Sequence, residues 1–258
     1  MPRFTANLSF LFPEHAFLER FAAAAQAGFK AVEYMSPYDH EAGEIARRLK
    51  DNGLSQVLFN LPLGDWDAGE RGLACLPGRE DEFRRGVDMA ARYAGALSCG
   101  MVNCLAGIPK PGTAREQSRA TLVANLRWAA EQLAQAGVLL LLEPINSYDM
   151  PGYLITRSAD AMAVLDEVNH PNLKLQYDIY HMQRMEGEIA ATLERLLPRI
   201  GHIQIADNPG RHEPGTGEIN YPFLLAAIDA LGYQGWVGCE YRPRAGTAEG
   251  LGWMKELQ

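Results

Sequence analysis

The chain has 258 residues, of which 47% are hydrophobic and 22% charged, an ordinary composition for a soluble globular enzyme. Its net charge of −8 argues against a nucleic-acid-binding surface, which usually carries a basic stripe. A small anionic substrate stays open, because local charge governs a pocket. The longest aliphatic run is too short to span a bilayer, and the N-terminus lacks the apolar core of a signal peptide. We therefore expect a cytoplasmic protein without a membrane partner.

Strand-like apolar runs alternate with amphipathic helical stretches from one end of the chain to the other. The strands are predicted near residues 3–9, 31–34, 56–60, 101–105, 138–143, 173–178, 202–206 and 236–240. The helices are predicted near residues 14–27, 41–52, 80–97, 113–136, 158–168, 188–197, 221–231 and 248–256. A long polar loop at 61–78 follows the third strand, and loops of this length in compact domains usually have a function.

These elements form eight strand–helix units of about thirty residues, with no linker between them. Repeated right-handed connections between parallel strands close into a barrel, so the pattern predicts one (β/α)8 barrel domain over residues 1–258. The alternative is a doubly wound open sheet, which favours a glycine-rich turn after its first strand. Residues 10–13, which follow the first strand here, contain no glycine.

Acidic residues stand at the carboxyl ends of three predicted strands. Glu143 ends the fifth strand, Asp178 the sixth and Glu240 the eighth. Gln204 lies in the seventh strand, and His202 shares its strand face and is interpreted as a buried structural histidine. In a (β/α)8 barrel the carboxyl ends of the strands meet at the face that carries active sites. We therefore expect Glu143, Asp178, Gln204 and Glu240 to converge.

Such a group of side chains predicts a metal site. Carboxylates crowded together raise one another's pKa unless a cation lies between them. Oxygen ligands suit a hard divalent ion, and Mg²⁺ or Mn²⁺ fits them better than Zn²⁺, which prefers nitrogen and sulfur. We expect Mg²⁺, with Mn²⁺ as the alternative.

Other polar residues near the strand ends are candidates for binding a substrate. His181 follows the sixth strand by three residues, in a short loop at the predicted catalytic face. Asn60 ends the third strand, and Arg211 lies in a turn-rich loop after the seventh. Arg71 and Arg79 belong to the region after the third strand, and either could bind a carboxylate in a bidentate manner. A solvated surface charge is the simpler interpretation of each arginine taken alone.

Long runs around these residues resemble the hydroxypyruvate isomerase family, a branch of the xylose isomerase-like TIM barrels. The runs are LEPIN at 142–146, QYDIYHMQ at 176–183, residues 203–221 and GWVGCEY at 235–241, and the likeness covers essentially the whole chain. Relatives that act on 2-oxo-tetronate share several of these runs. The resemblance implies a divalent metal at Glu143, Asp178, Gln204 and Glu240, with Glu143 and Glu240 as the acid–base pair. Many relatives carry histidine at the position of Gln204, and the weaker amide ligand predicts modest metal affinity.

The resemblance also implies a reaction, the interconversion of hydroxypyruvate and 2-hydroxy-3-oxopropanoate through a metal-stabilised enediolate. One glutamate would remove a proton from C3 and the other would return one to C2. His181 would hydrogen-bond a substrate oxygen. Arg211, or one of the two arginines after the third strand, Arg71 or Arg79, would hold the substrate carboxylate. A hydride shift between the two carbons is the mechanistic alternative.

Other functions stay open at this point. A 2-oxo-tetronate isomerase or a ketose 3-epimerase would use the same barrel. A metal-dependent endonuclease would need a basic groove and a histidine-rich zinc cluster, which the net charge of −8 and six scattered histidines disfavour. A non-catalytic binding barrel would have no need of the carboxylate set. The sequence leaves the oligomeric state open, a homo-oligomer included.

Overall fold

Eight parallel β-strands close into a barrel in the computed structural model, which describes residues 2–256. Each strand pairs with the next along the chain, and the last pairs with the first. The strands are β1 Arg3–Asn7, β2 Ala31–Glu33, β3 Ser55–Asn60, β4 Met101–Cys104, β5 Leu139–Leu142, β6 Leu173–Asp178, β7 Ile200–Ile205 and β8 Trp236–Cys239. The predicted (β/α)8 barrel is confirmed.

Helices follow the strands and surround the barrel. They are α1 Arg20–Gln26, α2 Ala42–Asp51, α3 Glu80–Leu97, α4 Arg115–Gln135, α5 Ser158–Val168, α6 Ile179–Met185, α7 Ile189–Leu196, α8 Tyr221–Ala230, α9 Thr247–Gly250 and α10 Gly252–Glu256. None of the helices in the described range has both the length and the apolar character that crossing a bilayer requires.

The helices differ from the prediction in three places. The first helix begins later than residue 14, because a 3₁₀ helix at Phe17–Glu19 precedes α1. Helix α6 is an additional helix that the sequence pattern does not predict. It starts directly after β6, where the Asp178 side chain accepts a hydrogen bond from the backbone N–H of Tyr180. The predicted last helix at 248–256 is divided at Leu251 into α9 and α10.

The residues of β5 alternate between the two faces of the barrel wall. Leu140 and Leu142 belong to the large core cluster that packs the strands against the helices. Leu139 and Leu141 belong to a separate cluster, together with Ala31, Val57 and Leu58. Glu143 continues the series of Leu139 and Leu141, so its side chain is directed into the barrel.

Glu33 is the centre of a buried polar layer inside the barrel. Its carboxylate accepts hydrogen bonds from His202 Nε2 at 2.8 Å, Gln204 Nε2 at 2.7 Å and Asn7 Nδ2 at 3.2 Å. His202 is fully buried, in agreement with the structural role predicted for it. Gly238 leaves the space that this layer needs, because a Cβ at that position would lie 2.4 Å from Glu33 Oε1.

Candidate active site

A cavity of about 1000 Å³ opens at the carboxyl ends of the strands. Its lining includes Glu143 and Glu240, which directly follow β5 and β8, and residues of the loops after several other strands. The volume is at the upper end of the range usual for small-molecule sites. The cavity thus lies where (β/α)8 barrels place their active sites.

Four side chains from three strand ends converge at this cavity. Glu143, Asp178, His181 and Glu240 each offer one potential ligand atom, and these atoms lie within 4.8 Å of one another. All four residues are buried. The three acids predicted from the strand ends are therefore neighbours in space, although the sequence separates them by up to 97 positions, from 143 to 240.

Asp178 connects β6 to α6 and keeps one oxygen for the site. Its Oδ1 accepts the backbone N–H of Tyr180 at 2.8 Å, which caps the helix. Its Oδ2 is buried and accepts no hydrogen bond from a protein N–H group. The nearest cationic and imidazole nitrogens, Arg211 Nη2 and His181 Nε2, both lie 3.5 Å from Oδ2. A buried carboxylate oxygen without a close donor is unusual and suggests a bound cation.

Asparagine side chains orient the two glutamates. Glu143 Oε2 accepts a hydrogen bond from Asn103 Nδ2 at 2.8 Å. Glu240 Oε1 accepts from Asn7 Nδ2 at 3.1 Å, and Glu240 Oε2 accepts from Arg211 Nη2 at 2.5 Å. Among the described residues Glu143 Oε1 accepts no hydrogen bond, so it is the less constrained of these carboxylate oxygens.

Burial and mutual repulsion shift the pKa of each acid upward. Burial raises the pKa of Glu143 well above its usual value, and the charges of Glu240 and Asp178 add to the shift. Burial also raises the pKa of Glu240 to about 8, against the opposing charge of Arg211. The pKa of Asp178 rises for the same reason and is opposed by Arg211 in the same way. A divalent cation in the cluster would remove this cost, because a nearby positive charge favours the ionised carboxylate.

His181 presents a protonated Nε2 to the cluster. Its Nδ1 lies 2.6 Å from Asn146 Nδ2. The Asn146 amide is fixed in orientation, since its oxygen accepts the backbone N–H groups of Tyr148 and Asp149 at 3.0 and 2.8 Å. The Asn146 amide nitrogen must therefore donate to Nδ1, which leaves the proton of the neutral ring on Nε2.

The environment keeps the His181 ring neutral. Burial lowers its pKa well below the usual value, and the charges of Arg211 and Arg184 add to the effect. A neutral ring with its proton on Nε2 can donate to a substrate oxygen but has no lone pair on that nitrogen for a metal. The geometry therefore favours the predicted substrate contact over a metal-ligand role for His181.

Gln204 lies beside Asp178, because the two residues are paired across β6 and β7. Its Nε2 donates to Glu33, and its Oε1 accepts a hydrogen bond from Gln176 Nε2 at 2.6 Å. A carbonyl oxygen has a second lone pair, so Oε1 can still act as a weak ligand. Gln204 is thus engaged at both ends of its amide by neighbours inside the barrel.

The candidate arginines lie in different places. Arg211 and Arg71 both line the cavity. Arg79 is not part of the lining, and it binds Glu70 and Glu82 instead, at 2.7 and 2.5 Å. Arg79 is thus paired with two neighbouring acids outside the cavity lining, whereas Arg211 and Arg71 face the cavity.

Asn60 also lines the cavity, at the end of β3. Its Oδ1 accepts a hydrogen bond from Asn103 Nδ2 at 3.2 Å, and the same Asn103 nitrogen donates to Glu143. Asn60 is therefore connected to Glu143 through Asn103, in addition to its place on the cavity wall.

Sequence reasoning alone assigns no role in orienting the acids to any of these asparagines. Asn7 and Asn103 stand at or near the ends of β1 and β4, as Asn60 does at β3, and this recurrence at strand ends is a signal that could have identified them. Asn146 lies three residues after Glu143, just as His181 lies three residues after Asp178. Its role depends on a contact between two loops, which the sequence does not reveal.

A divalent metal fits the residues that converge here. Glu143, Asp178 and Glu240 are buried acids of raised pKa, and Asp178 Oδ2 lacks a close protein donor. Their oxygens are the ligand type that Mg²⁺ and Mn²⁺ prefer. The coarse prediction of a site able to hold a metal is supported by this cluster.

Comparison with known proteins agrees with the fold and the site. The chain matches the family model of xylose isomerase-like TIM barrels over residues 21–257. A crystal structure described as an AP endonuclease, family 2, from Brucella melitensis superimposes with a TM-score of 0.97 and is 49% identical, covering 99% of each chain.

Two enzymes are similar over nearly their whole length. The 2-oxo-tetronate isomerase of Cupriavidus necator is 54% identical over 255 residues, which cover 99% of this chain and 98% of that protein. The hydroxypyruvate isomerase of Escherichia coli is 56% identical over 254 residues, which cover 98% of each. The chain therefore belongs to the xylose isomerase-like TIM barrels and, within them, to the family of hydroxypyruvate and 2-oxo-tetronate isomerases.

Proposed function

We propose that this protein isomerises hydroxypyruvate to 2-hydroxy-3-oxopropanoate, also called tartronate semialdehyde. The observation that carries the proposal is the pair of buried glutamates, Glu143 and Glu240, at the ends of β5 and β8 in one cavity. The similarity to the E. coli hydroxypyruvate isomerase supports the same substrate. The two glutamates meet the need of this reaction for two groups that accept and donate protons.

The reaction moves a carbonyl group by one carbon. A proton leaves C3 of hydroxypyruvate, and the electron pair of the broken C–H bond forms the C2–C3 double bond of an enediolate. A proton then reaches C2, while the proton of the C3 hydroxyl group is lost and the former ketone oxygen becomes a hydroxyl. The product has the same atoms and the same charge as the substrate, so no oxidant or reductant is required.

Glu143 and Glu240 exchange the protons with carbon in this scheme. Glu143 is the better placed to begin as the base, because its Oε1 accepts no hydrogen bond among the described residues. Burial raises the pKa of both glutamates, so either can carry the proton that is returned to carbon. The roles reverse for the reaction in the opposite direction.

His181 and a cavity arginine bind and orient the substrate. The protonated Nε2 of His181 donates to the oxygen on which negative charge develops, and a fixed donor of this type stabilises the transition state more than the ground state. Arg211 or Arg71 holds the carboxylate, and Asn60 contributes to the wall beside it.

We further propose that Glu143, Asp178, Gln204 and Glu240 bind a divalent ion, Mg²⁺ or Mn²⁺. When bound, such an ion supplies positive charge that neutralises the oxygens of the enediolate. Gln204 is the weakest member of the set, because its amide is neutral and already hydrogen-bonded to Glu33 and Gln176.

A second candidate substrate is 2-oxo-tetronate, which carries one more carbon. The similarity to the Cupriavidus necator enzyme supports it as strongly as the E. coli relative supports hydroxypyruvate. The cavity of about 1000 Å³ has room for either acid. An endonuclease activity has less support, because the net charge is −8 and the buried cluster contains a single histidine.

The test is a steady-state assay of both acids, with Mg²⁺ and with a chelator. We expect kcat/KM for one or both acids in the range usual for enzymes, about 10⁴ M⁻¹s⁻¹ or more, and loss of activity in the chelator that added Mg²⁺ restores. No turnover of either acid in the presence of Mg²⁺ or Mn²⁺ would refute the proposed function. Full activity in the chelator would refute the metal alone.

A further inference from the structure

We propose that Arg71 is the receptor for the substrate carboxylate, and that it makes the site selective for hydroxy-oxo acids over neutral ketoses. The inference rests on the proposed function and assigns one group of that substrate to one side chain. It decides between Arg71 and Arg211, the two arginines named above as possible partners of the substrate carboxylate.

Four arginines line the cavity, and two of them are already paired with acids. Arg211 Nη2 binds Glu240 and lies near Asp178, so its charge is committed to the catalytic cluster. Arg184 Nη1 lies 2.6 Å from Asp149 Oδ1. Within residues 2–256, Arg71 and Arg242 have no acidic partner within 4.0 Å. An incoming anion finds uncompensated positive charge at these two positions.

The Arg71 guanidinium is fixed by neutral groups. Both hydrogens of Nη1 are used, because this nitrogen donates to the backbone oxygens of Trp66 at 2.9 Å and Glu70 at 2.7 Å. The plane lies over the Trp66 ring, with Cζ 3.8 Å from the ring centroid. These contacts hold the group in place without neutralising its charge.

The free edge of this guanidinium has the shape that a carboxylate requires. Nε and Nη2 donate to no other group among the described residues, so their hydrogens remain for a ligand. These two nitrogens form one of the planar forks that bind both oxygens of a carboxylate through parallel hydrogen bonds. Because Arg71 is already ordered, binding costs little side-chain entropy.

Contacts on both sides of Arg71 hold its loop in place. Glu70 accepts the backbone N–H of Asp65 at 2.7 Å and binds Arg79 at 2.7 Å, which ties the loop to the start of α3. Gly72 has a φ of +106° and packs against Leu105, where a Cβ would lie 2.3 Å from the backbone oxygen. Arg79 therefore acts on the site indirectly, through the loop.

Arg242 is the control residue against which the effect of replacing Arg71 is compared. It lines the same cavity and has no acidic partner, but its side chain is exposed and its guanidinium donates no hydrogen bond within the described part of the protein. An exposed, unrestrained arginine must lose conformational entropy before it binds, so it contributes less. Substitution of either arginine changes the net charge by the same amount.

The experiment measures binding to the Mg²⁺-loaded protein by titration calorimetry. The ligands are tartronate, a hydroxy dicarboxylate that cannot isomerise, and dihydroxyacetone, the neutral analogue of hydroxypyruvate. The variants are Arg71→Gln, Arg71→Lys and Arg242→Gln, and kcat and KM for hydroxypyruvate and 2-oxo-tetronate are measured on the same preparations.

We expect Arg71→Gln to weaken tartronate binding about 100-fold and to raise KM more than it lowers kcat, since the carboxylate contact is the same in ground and transition states. Dihydroxyacetone binding should change less than about threefold, Arg71→Lys should recover part of the loss, and Arg242→Gln should cost less than about threefold.

Equal losses in Arg71→Gln and Arg242→Gln would overturn the inference, as would unchanged tartronate binding in Arg71→Gln. A wild-type protein that binds dihydroxyacetone as tightly as tartronate would also overturn it. A wild-type protein that binds tartronate through Arg71 but isomerises neither acid would refute the proposed function and leave the carboxylate site standing.

Discussion

Asn146 Nδ2 donates a hydrogen bond to His181 Nδ1 at 2.6 Å, and this contact sets the tautomer that His181 presents to the buried acids of the cluster. The Asn146 oxygen is occupied by two backbone N–H groups, so its amide cannot turn round. One asparagine beyond the cavity lining thus determines whether Nε2 of the histidine donates or accepts a hydrogen bond.

Replacing Asn146 by aspartate should reverse that tautomer. A carboxylate oxygen facing Nδ1 accepts a proton from the ring, so His181 would lose its Nε2–H donor or become an imidazolium of raised pKa. We expect kcat to fall about 10- to 100-fold, by loss of one oriented donor. ¹⁵N chemical shifts of the His181 ring report the tautomer directly.

The matched control for this change is Asn220→Asp. Asn220 caps α8 through its side-chain oxygen, a position where aspartate is equally suitable, and it is absent from the lining of the cavity. It should leave kcat unchanged. A His181 ring with its proton still on Nε2 in Asn146→Asp would contradict the role assigned to Asn146.

Gly238 should tolerate no side chain, because of the buried layer around Glu33. A Cβ there would lie 2.4 Å from Glu33 Oε1, and both residues are enclosed by the barrel. We expect Gly238→Ala to lower the free energy of unfolding by about 2–3 kcal/mol, as overpacking usually does. Urea denaturation measures the change.

Gly43→Ala is the corresponding control in α2, where an added Cβ meets no atom within 4 Å. Alanine is the better helix former, so this variant should be more stable by about 0.5–1 kcal/mol. Equal stability of Gly238→Ala and the wild type would show that the polar layer is less tightly packed than its contacts indicate.

Metal binding should strengthen as the pH rises. Burial raises the pKa of Glu240 to about 8 in the folded protein, from a value of 4.5. The folded state therefore holds this proton more tightly than the unfolded chain. That stabilising contribution is complete below about pH 4.5 and is lost as the pH rises through about 8. A metal ion must displace the same proton, so binding competes with it below about pH 8.

Calorimetry of Mn²⁺ binding at several pH values tests this linkage. We expect the affinity to rise by up to about tenfold per pH unit for each proton displaced, with proton release into the buffer. Above about pH 8 the dependence should flatten. An affinity independent of pH between about 5 and 8 would contradict the raised pKa of Glu240.

Gln204 should contribute to metal binding but only modestly. We expect Gln204→Ala to weaken Mn²⁺ binding about tenfold, measured by electron paramagnetic resonance of the free ion, because one weak ligand is lost while three acids remain. Gln176→Ala, which removes only the neighbour of Gln204, should have a smaller effect. Identical Mn²⁺ affinity in Gln204→Ala and the wild type would remove Gln204 from the ligand set.

The alternation of strands and helices was enough to predict the barrel, and the position of each acid after an apolar strand was enough to predict the cluster. Leu139, Leu141 and Glu143 show why, since a period of two directs all three to the barrel interior. The proton on His181 Nε2 could not be predicted in this way, because it depends on a contact with Asn146, 35 positions earlier.

The choice between Arg71 and Arg79 was also beyond the sequence. Both follow β3, and only the folded loop shows that Glu70 and Glu82 neutralise Arg79. The sequence pattern also does not predict α6, for a similar reason. Asp178 is at once the last residue of β6 and the cap of that helix, so no loop residues mark the boundary.

The most direct test of the proposed proton transfer is deuterium incorporation into hydroxypyruvate in D₂O, followed by NMR for the wild type, Glu143→Gln and Glu240→Gln. We predict that the wild type exchanges the C3 hydrogen with solvent. Each variant should lose the exchange by a factor of about 10³ or more, while its circular dichroism and urea midpoint stay close to those of the wild type. Exchange at the wild-type rate in either variant would contradict the role of that glutamate. Turnover without solvent deuterium at carbon in the wild type would favour a hydride shift over the paired glutamates.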